Sequence, residues 1–163
     1  MARPGAGYRT HTTGLTHGED GFPTQNPEVV TRNLSRLFSK LDGHRELIDS
    51  FEALRCADAD VVIVAIGISA RAARRAVELC RAQGLRVGLF RPITFWPFPE
   101  TQLRQATAKA RAVLVPEMNT GQLRLVVEHA LGGMPVEGLH LFSGEAITPL
   151  DIAARAAALA GGA

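Results

Sequence analysis

Apolar residues are spaced in two different ways along this chain, and the spacing changes near residue 45. Asn26, Pro27 and Glu28 supply a capping residue, a proline at the first helical position and an early acid, a combination that favours the start of a helix. Apolar residues then recur at helical spacing, at Val30, Leu34, Leu37, Phe38 and Leu41. The pattern predicts an amphipathic connecting helix over residues 27–45 that ends near Gly43.

The first 26 residues show no such repeat. They are rich in Gly, Thr, His and Pro and follow neither the period of a strand nor that of a helix. We predict an extended arm or linker over residues 1–26, with no core of its own.

Beyond residue 45, strands and helices alternate. DVVIVAIG, residues 60–67, is a nearly unbroken apolar run of the kind found in strands covered on both faces. SARAARRAVELCRAQG follows as a helix, with Ser69 and Gly84 as its predicted caps. The predicted buried stripe of that helix is Ala73, Ala76, Val77 and Cys80, and the predicted solvent-facing residues are Arg71, Arg74, Arg75 and Arg81.

The same alternation continues to the end of the chain. LRVGLF, RAVLVPE and VEGLHLF predict further strands, and PETQLRQATAKA and GQLRLVVEHALGG predict the helices between them. TPLD opens a last helix, and SFEALR is a candidate edge strand before Asp58. Strands and helices at these intervals predict an α/β domain over residues 46–163, with a parallel or mostly parallel sheet between helical layers.

Composition sets limits on function without indicating one. A chain of 163 residues with 46% hydrophobic residues has the size of one globular domain with an arm. The net charge of +2 is small, and the basic residues of the chain are scattered among its acidic residues. Neither a nucleic acid nor a membrane is therefore indicated as a partner. Cys56 and Cys80 lack the spacing of a metal cluster. With no apolar run of about 20 residues and no signal-peptide core, we expect a cytoplasmic protein.

Candidate chemistry is sparse at the strand ends, where open α/β sheets bind their ligands. AIGISA, RPITFWPFPE, PEMNTGQ and FSGEAITP contain no dinucleotide fingerprint, phosphate loop or nucleophile elbow. The turn from Gly67 to Ser69 offers backbone N–H groups to an anion, but an ordinary capped turn has the same sequence. Glu117 ends a strand with no predicted catalytic neighbour, so a helix N-terminal or interface role is preferred.

One loop also invites a metal interpretation. HTTGLTHGED contains His11, His17, Glu19 and Asp20, but their spacing matches no closed zinc pattern, and the ordinary polarity of a loop explains them. The residues alone therefore predict a domain with no catalytic, cofactor-binding or metal site of its own.

Three stretches resemble one enzyme family. VVIVAIGISARAARRAVELCRAQGLRVGLFRPITFWPFPETQL, VLVPEMNTGQLRLVVE and SGEAITPLDI are similar to the C-terminal domain of the α subunit of 2-oxoacid:ferredoxin oxidoreductases, particularly the 2-oxoglutarate type. THTTGLTHGEDGFPTQNPEVV is similar to the segment that joins this domain to the preceding thiamine-diphosphate-related domain. Ile68 and Pro116 depart from the residues usual in the family, without affecting the expected fold.

The resemblance implies a transketolase C-terminal-like domain, a three-layer αβα arrangement whose five-stranded, mostly parallel sheet has an antiparallel first strand. Enzymes of the family oxidatively decarboxylate a 2-oxoacid to acyl-CoA and reduce ferredoxin, using thiamine diphosphate, Mg²⁺, iron–sulfur clusters and coenzyme A. Two cysteines cannot supply the four thiolates of a cluster. We therefore expect this chain to bind none of these cofactors, to be inactive alone, and to assemble with a thiamine-diphosphate-binding domain and a β subunit. The alternative is an independent flavodoxin-like module that binds a small ligand or regulates another protein.

The loop RPITFWPFPE is the predicted contact with those partners. It holds three prolines and the only tryptophan of the chain, and proline excludes a central strand or a helix interior. In the family fold such loops face neighbouring domains, so Phe95, Trp96 and Phe98 are expected to be interface anchors. The competing interpretation is that Trp96 covers the end of its own sheet. Glu117 and Asn119, in the next strand-end loop, are the further interface candidates.

Overall fold

The computed structural model describes residues 3, 5–7 and 15–161, and it divides the chain into two compact units, residues 1–46 and 47–163. Its helices are α1 Pro27–Asp42, α2 Arg45–Ile48, α3 Gly67–Ala82, α4 Glu100–Ala106, α5 Gln122–Leu131 and α6 Pro149–Gly161. Its strands are β1 Phe51–Leu54, β2 Val61–Val64, β3 Val87–Pro92, β4 Ala112–Glu117 and β5 Val136–His140. Over the described part of the chain, every helix is too short or too polar to cross a membrane.

The first unit contains α1 and the loop before it. Asn26 caps α1, since its side-chain oxygen accepts the N–H groups of Glu28 at 2.9 Å and Val29 at 3.3 Å. Residues 16–24 form a short antiparallel loop, in which Gly18 donates to the carbonyl of Phe22 and Thr24 to that of Thr16. Backbone groups in this part of the predicted arm therefore pair with one another.

The second unit is built on one five-stranded sheet with the strand order β1-β3-β2-β4-β5. β1 lies antiparallel to β3, with Phe51 opposite Pro92, while β3, β2, β4 and β5 are mutually parallel. The predicted edge strand in SFEALR is confirmed as β1, and so is the mostly parallel sheet with an antiparallel first strand.

Helices cover both faces of this sheet, and β2 shows why its sequence is apolar throughout. All four residues of β2 are fully buried. Val61 and Ile63 point into a cluster that includes residues of α3 and α6. Val62 and Val64 point the other way, into a cluster that includes residues of α4 and α5. A strand in the middle layer has no solvent face, so period-2 alternation of polarity is lost.

Two details of α3 differ from the sequence prediction. The helix begins at Gly67, whose φ of +54° suits glycine, and Ser69 is a buried helical residue and not the N-cap. Arg81 was expected on the solvent side, but its guanidinium donates to both carboxylate oxygens of Asp58 and to the carbonyls of Arg55 and Val87. It links the helix to β3 and to the segment that follows β1. The predicted buried stripe of α3 is confirmed.

Candidate functional site

The four parallel strands end at one edge of the sheet, which we call the carboxyl edge. β2 and β4 are neighbours in the sheet, yet the helices that follow them lie on opposite faces, α3 in one core cluster and α5 in the other. The connections therefore diverge between the ends of β2 and β4. Open α/β sheets bind their ligands at such a point of divergence, so a functional site is expected here.

Large apolar side chains are exposed at every strand end of this edge. We call the group the edge patch; its members are Ile66, Ile68, Ile93, Phe95, Trp96, Met118 and Phe142, each more than a third exposed. The most exposed are Trp96 at 79% and Phe142 at 73%. Single exposed apolar residues are ordinary on protein surfaces, but a group of them contributed by four successive loops is a candidate interaction surface.

The loop after β3 divides its aromatic residues between core and surface. Phe98, one of the predicted interface anchors, is only 4% exposed and belongs to the same core cluster as Leu103, so it offers little surface to a partner. The Phe95 ring meets it edge to face, with ring centroids 6.2 Å apart. Because Trp96 is 79% exposed, it does not cover the end of its own sheet either. Phe95 and Trp96 are therefore the exposed aromatic residues of the loop.

Hydrogen bonds fix where this loop leaves the sheet. The backbone N–H groups of Ile93 and Thr94 both donate to the carbonyl of Ser50, at 2.8 and 3.0 Å. The Thr94 hydroxyl in turn accepts from the backbone N–H of Ser50 and donates to the carbonyl of Ile48. These hydrogen bonds fix the backbone immediately before Phe95 and Trp96. Less conformational entropy is therefore lost when a partner binds these two side chains.

Glu117, at the end of β4, holds the start of α5. Its side chain is almost completely buried, and its two carboxylate oxygens accept the backbone N–H groups of Leu123 at 2.8 Å and Arg124 at 3.1 Å. These N–H groups belong to the first turn of the helix and have no partner inside it. A negative charge is favourable at this end of a helix dipole. The carboxylate is therefore committed to the backbone and is not free for acid–base work.

Asn119 and His140 complete this corner. The side-chain oxygen of Asn119 accepts the N–H groups of Gly121 at 2.8 Å and Gln122 at 3.3 Å, which closes the turn into α5. His140 lies opposite Glu117 in the pairing of β4 with β5, and its Nε2 atom is 3.5 Å from the Glu117 carboxylate. Sequence reasoning missed this histidine, because its contact with Glu117 depends on the pairing of β4 with β5, which the local sequence does not show.

The histidine ring needs glycine beside it. A Cβ atom on Gly138 would lie 2.2 Å from the His140 ring, and one on Gly121 would lie 3.1 Å from it. Gly121 also has a φ of +112°, which other residues rarely adopt. The two glycines therefore make room for a ring that packs against the helix start.

The other candidate groups in the sequence are the loop HTTGLTHGED and the two cysteines. No group of three or more metal-ligating side chains comes together among them. Asp20 instead accepts the backbone N–H of Phe22 and closes a turn, while His11 lies outside the described residues. Burial raises the pKa of the Cys56 thiol to about 11 and also raises the pKa of Cys80, so both thiols are poor nucleophiles.

A three-layer α/β domain whose mixed sheet begins with an antiparallel edge strand belongs to the transketolase C-terminal class of folds. A split-gene transketolase shares this fold, with a TM-score of 0.57 and 22% identity over 68% of this chain and 41% of that one. Residues 59–152 match the family described as pyruvate:ferredoxin oxidoreductase core domain II. The chain belongs to that family, which confirms the resemblance found in the sequence.

The similar proteins include subunits of two oxidoreductases. The 2-oxoglutarate synthase subunit KorA of Methanothermobacter marburgensis is 39% identical over 91% of this chain and 40% of its own length. The ketoisovalerate oxidoreductase subunit VorB of the same organism is 38% identical over 68% of this chain and 32% of its length. A solved 2-oxoglutarate:ferredoxin oxidoreductase from Magnetococcus marinus, with 2-oxoglutarate, coenzyme A and succinyl-CoA bound, has a TM-score of 0.81 and 29% identity over 98% of this chain and 28% of that one. The chain thus spans about 40% of the KorA relative's length.

Proposed function

We propose that this chain is a noncatalytic assembly domain of the α subunit of a 2-oxoacid:ferredoxin oxidoreductase. The complete enzyme would decarboxylate a 2-oxoacid oxidatively, form acyl-CoA and reduce ferredoxin in the cytoplasm. Relatives that are subunits of such enzymes support the proposal. They do not favour the alternative of an independent flavodoxin-like module, since they are parts of larger oxidoreductases.

The edge patch is the observation that carries the assembly role. An apolar surface that includes a tryptophan has the composition of an interface centre, where a few large anchors supply most of the binding free energy. In this proposal Phe95 and Trp96 bind the thiamine-diphosphate-binding domain or the β subunit. Glu117 and Asn119 contribute by holding the neighbouring loop in shape, which preorganises the surface.

The polar groups of the carboxyl edge support a noncatalytic role. Glu117 and Asn119 are both occupied by backbone N–H groups of α5, so neither is placed as a free acid, base or ligand. In this proposal thiamine diphosphate, Mg²⁺, the iron–sulfur clusters and coenzyme A are held by other domains and by the β subunit. The chain itself binds none of them.

We take 2-oxoglutarate as the substrate of the complete enzyme. KorA and VorB relatives have nearly equal identity to this chain, but the KorA match extends over 91% of it and the VorB match over 68%. The solved structure with 2-oxoglutarate bound also covers nearly the whole chain.

Reconstitution tests the proposal. The chain would be mixed with a thiamine-diphosphate-binding α domain and a β subunit of the 2-oxoglutarate type, and viologen reduction measured with 2-oxoglutarate, coenzyme A and thiamine diphosphate. We expect no turnover from the chain alone, and turnover from the mixture that depends on the chain. Turnover by the chain alone would refute the noncatalytic role, and failure to co-purify with either partner would refute the assembly role.

A further inference from the structure

Helix α1 presents an apolar stripe to solvent. Leu34, Leu37, Phe38 and Leu41 are between 37% and 68% exposed, and none of the residues of α1 is buried. Val30, Leu34, Leu37 and Leu41 are separated by four, three and four positions, the spacing that places side chains along one seam of a helix. Such a seam in a globular protein normally packs against another element.

A basic flank runs beside the stripe. Arg32, Arg36 and Lys40 are each one turn apart, so their charges line one side of the helix. Within the part of the chain that the structure describes, no ion pair engages any of the three. The only acids of α1 are Glu28, in its first turn, and Asp42, its last residue.

A groove joins the basic flank to the apolar stripe. It lies between α1 and the loop of residues 16–24, has a volume of about 560 Å³, and is lined by His17, Gly18, Glu19, Arg32, Asn33, Arg36 and Leu37. Asn33 fixes one wall, because its side-chain amide donates to the carbonyl of His17 at 2.8 Å. Leu37 belongs to both the groove and the stripe, so the two form a continuous surface.

We propose that this surface of the first unit binds an acidic amphipathic segment of another polypeptide. Apolar side chains of the segment would cover Leu37 and Leu41, while its carboxylates would meet Arg32 and Arg36, whose planar guanidinium groups suit carboxylates. A second copy of α1 fits poorly, because it offers carboxylates only at its two ends. The inference does not rest on the assembly role of the edge patch, since it concerns residues of the first unit alone.

The test uses the whole chain and a labelled synthetic helical peptide with leucines at its a and d positions and glutamates beside them. A matched peptide carries lysine in place of every glutamate. By fluorescence anisotropy we expect the acidic peptide to bind at least about tenfold more tightly than the basic one, and its affinity to fall as salt is raised. Arg36→Glu should weaken that binding by about tenfold or more, since it places like charges opposite each other.

Two control variants separate charge from misfolding. Arg36→Lys keeps the charge and should retain most of the affinity, and Arg71→Glu, in the other unit, should leave it unchanged. Equal affinity for the two peptides, or no measurable binding, would overturn the inference. So would tighter binding to phosphatidylglycerol vesicles than to the acidic peptide, which would indicate a membrane. Self-association in sedimentation experiments that Leu37→Ser abolishes would indicate a second copy of the chain and would overturn it as well.

Discussion

Trp96 and Phe98 lie two positions apart in one loop, and the structure predicts opposite consequences for replacing them with alanine. Trp96 is 79% exposed. A fully buried tryptophan side chain buries up to about 250 Å² of surface, so about 50 Å² of Trp96 is buried in the free chain. At ~25 cal/mol per Å², that burial contributes ~1 kcal/mol to the free energy of unfolding. Phe98 is 4% exposed within a core cluster, where Phe→Ala typically costs ~3–5 kcal/mol.

Thermal denaturation distinguishes the two variants. For a chain of this size, each kcal/mol shifts the melting temperature by about 3 °C. Trp96→Ala should therefore lower the melting temperature by no more than about 4 °C, whereas Phe98→Ala should lower it by about 10 °C or more. Equal losses in the two variants would refute the assignment of Trp96 to the surface and Phe98 to the core.

Partner binding provides the second measurement on the same pair. About 200 Å² of Trp96 is available to a partner, which sets a ceiling of ~5 kcal/mol before the costs of ordering are subtracted. We expect Trp96→Ala to weaken association with the thiamine-diphosphate-binding domain or β subunit by ~2 kcal/mol or more, about 30-fold. Unchanged affinity for both partners in the folded variant would show that Trp96 is not the anchor of the edge patch.

Three further predictions concern groups that the fold itself uses. Glu117→Gln removes the charge at the start of α5 and should lower the free energy of unfolding in urea by ~1–2 kcal/mol, while Glu100→Gln, at the surface, should change it little. Cys56, with a pKa of about 11, should react with a thiol reagent at pH 8 far more slowly in the folded chain than in urea; equal rates would contradict its burial. The hydrogen bond from the Arg81 guanidinium lowers the pKa of Asp58 in the folded chain below its usual 3.8. The Arg81–Asp58 pair therefore stabilises the fold above pH 3.8, and this stabilisation is lost as the pH falls through the lower pKa of the folded state. Arg81→Met should weaken that acid dependence in urea titrations between pH 2 and pH 5, and an identical pH profile would contradict it.

Hydrophobic periodicity predicted the layered core because burial imposes the pattern. β2 is apolar at all four positions since each of its faces meets a helical layer, and α3 carries its buried residues on one stripe. β1 is different. It is a four-residue edge strand in which more and less exposed residues alternate, including the charged Glu52, so its sequence alone hardly distinguishes it from a loop. Its antiparallel direction came from the resemblance to a family.

The site was harder to predict because it depends on contacts between distant segments. Loops have no period, so nothing in FWPF indicates that the second phenylalanine is buried while the tryptophan is exposed. Likewise, His140 meets Glu117 only because β4 and β5 are neighbours, and strand order is not written in local sequence. The start of α3 was misplaced since Ser69 has the chemistry of a cap, whereas the backbone already turns at Gly67.

The carboxyl edge combines two kinds of residue with separable effects. Glu117 and Asn119 bind backbone N–H groups at the start of α5, and Thr94 ties the preceding loop to residues 48–50. Replacing any of them should alter the shape of a loop and with it the stability of the domain. Phe95 and Trp96 make few such contacts, so replacing Trp96 should change what the edge binds and not how the domain folds. In the assembly proposal, the apolar side chains on these fixed loops supply the surface that docking requires.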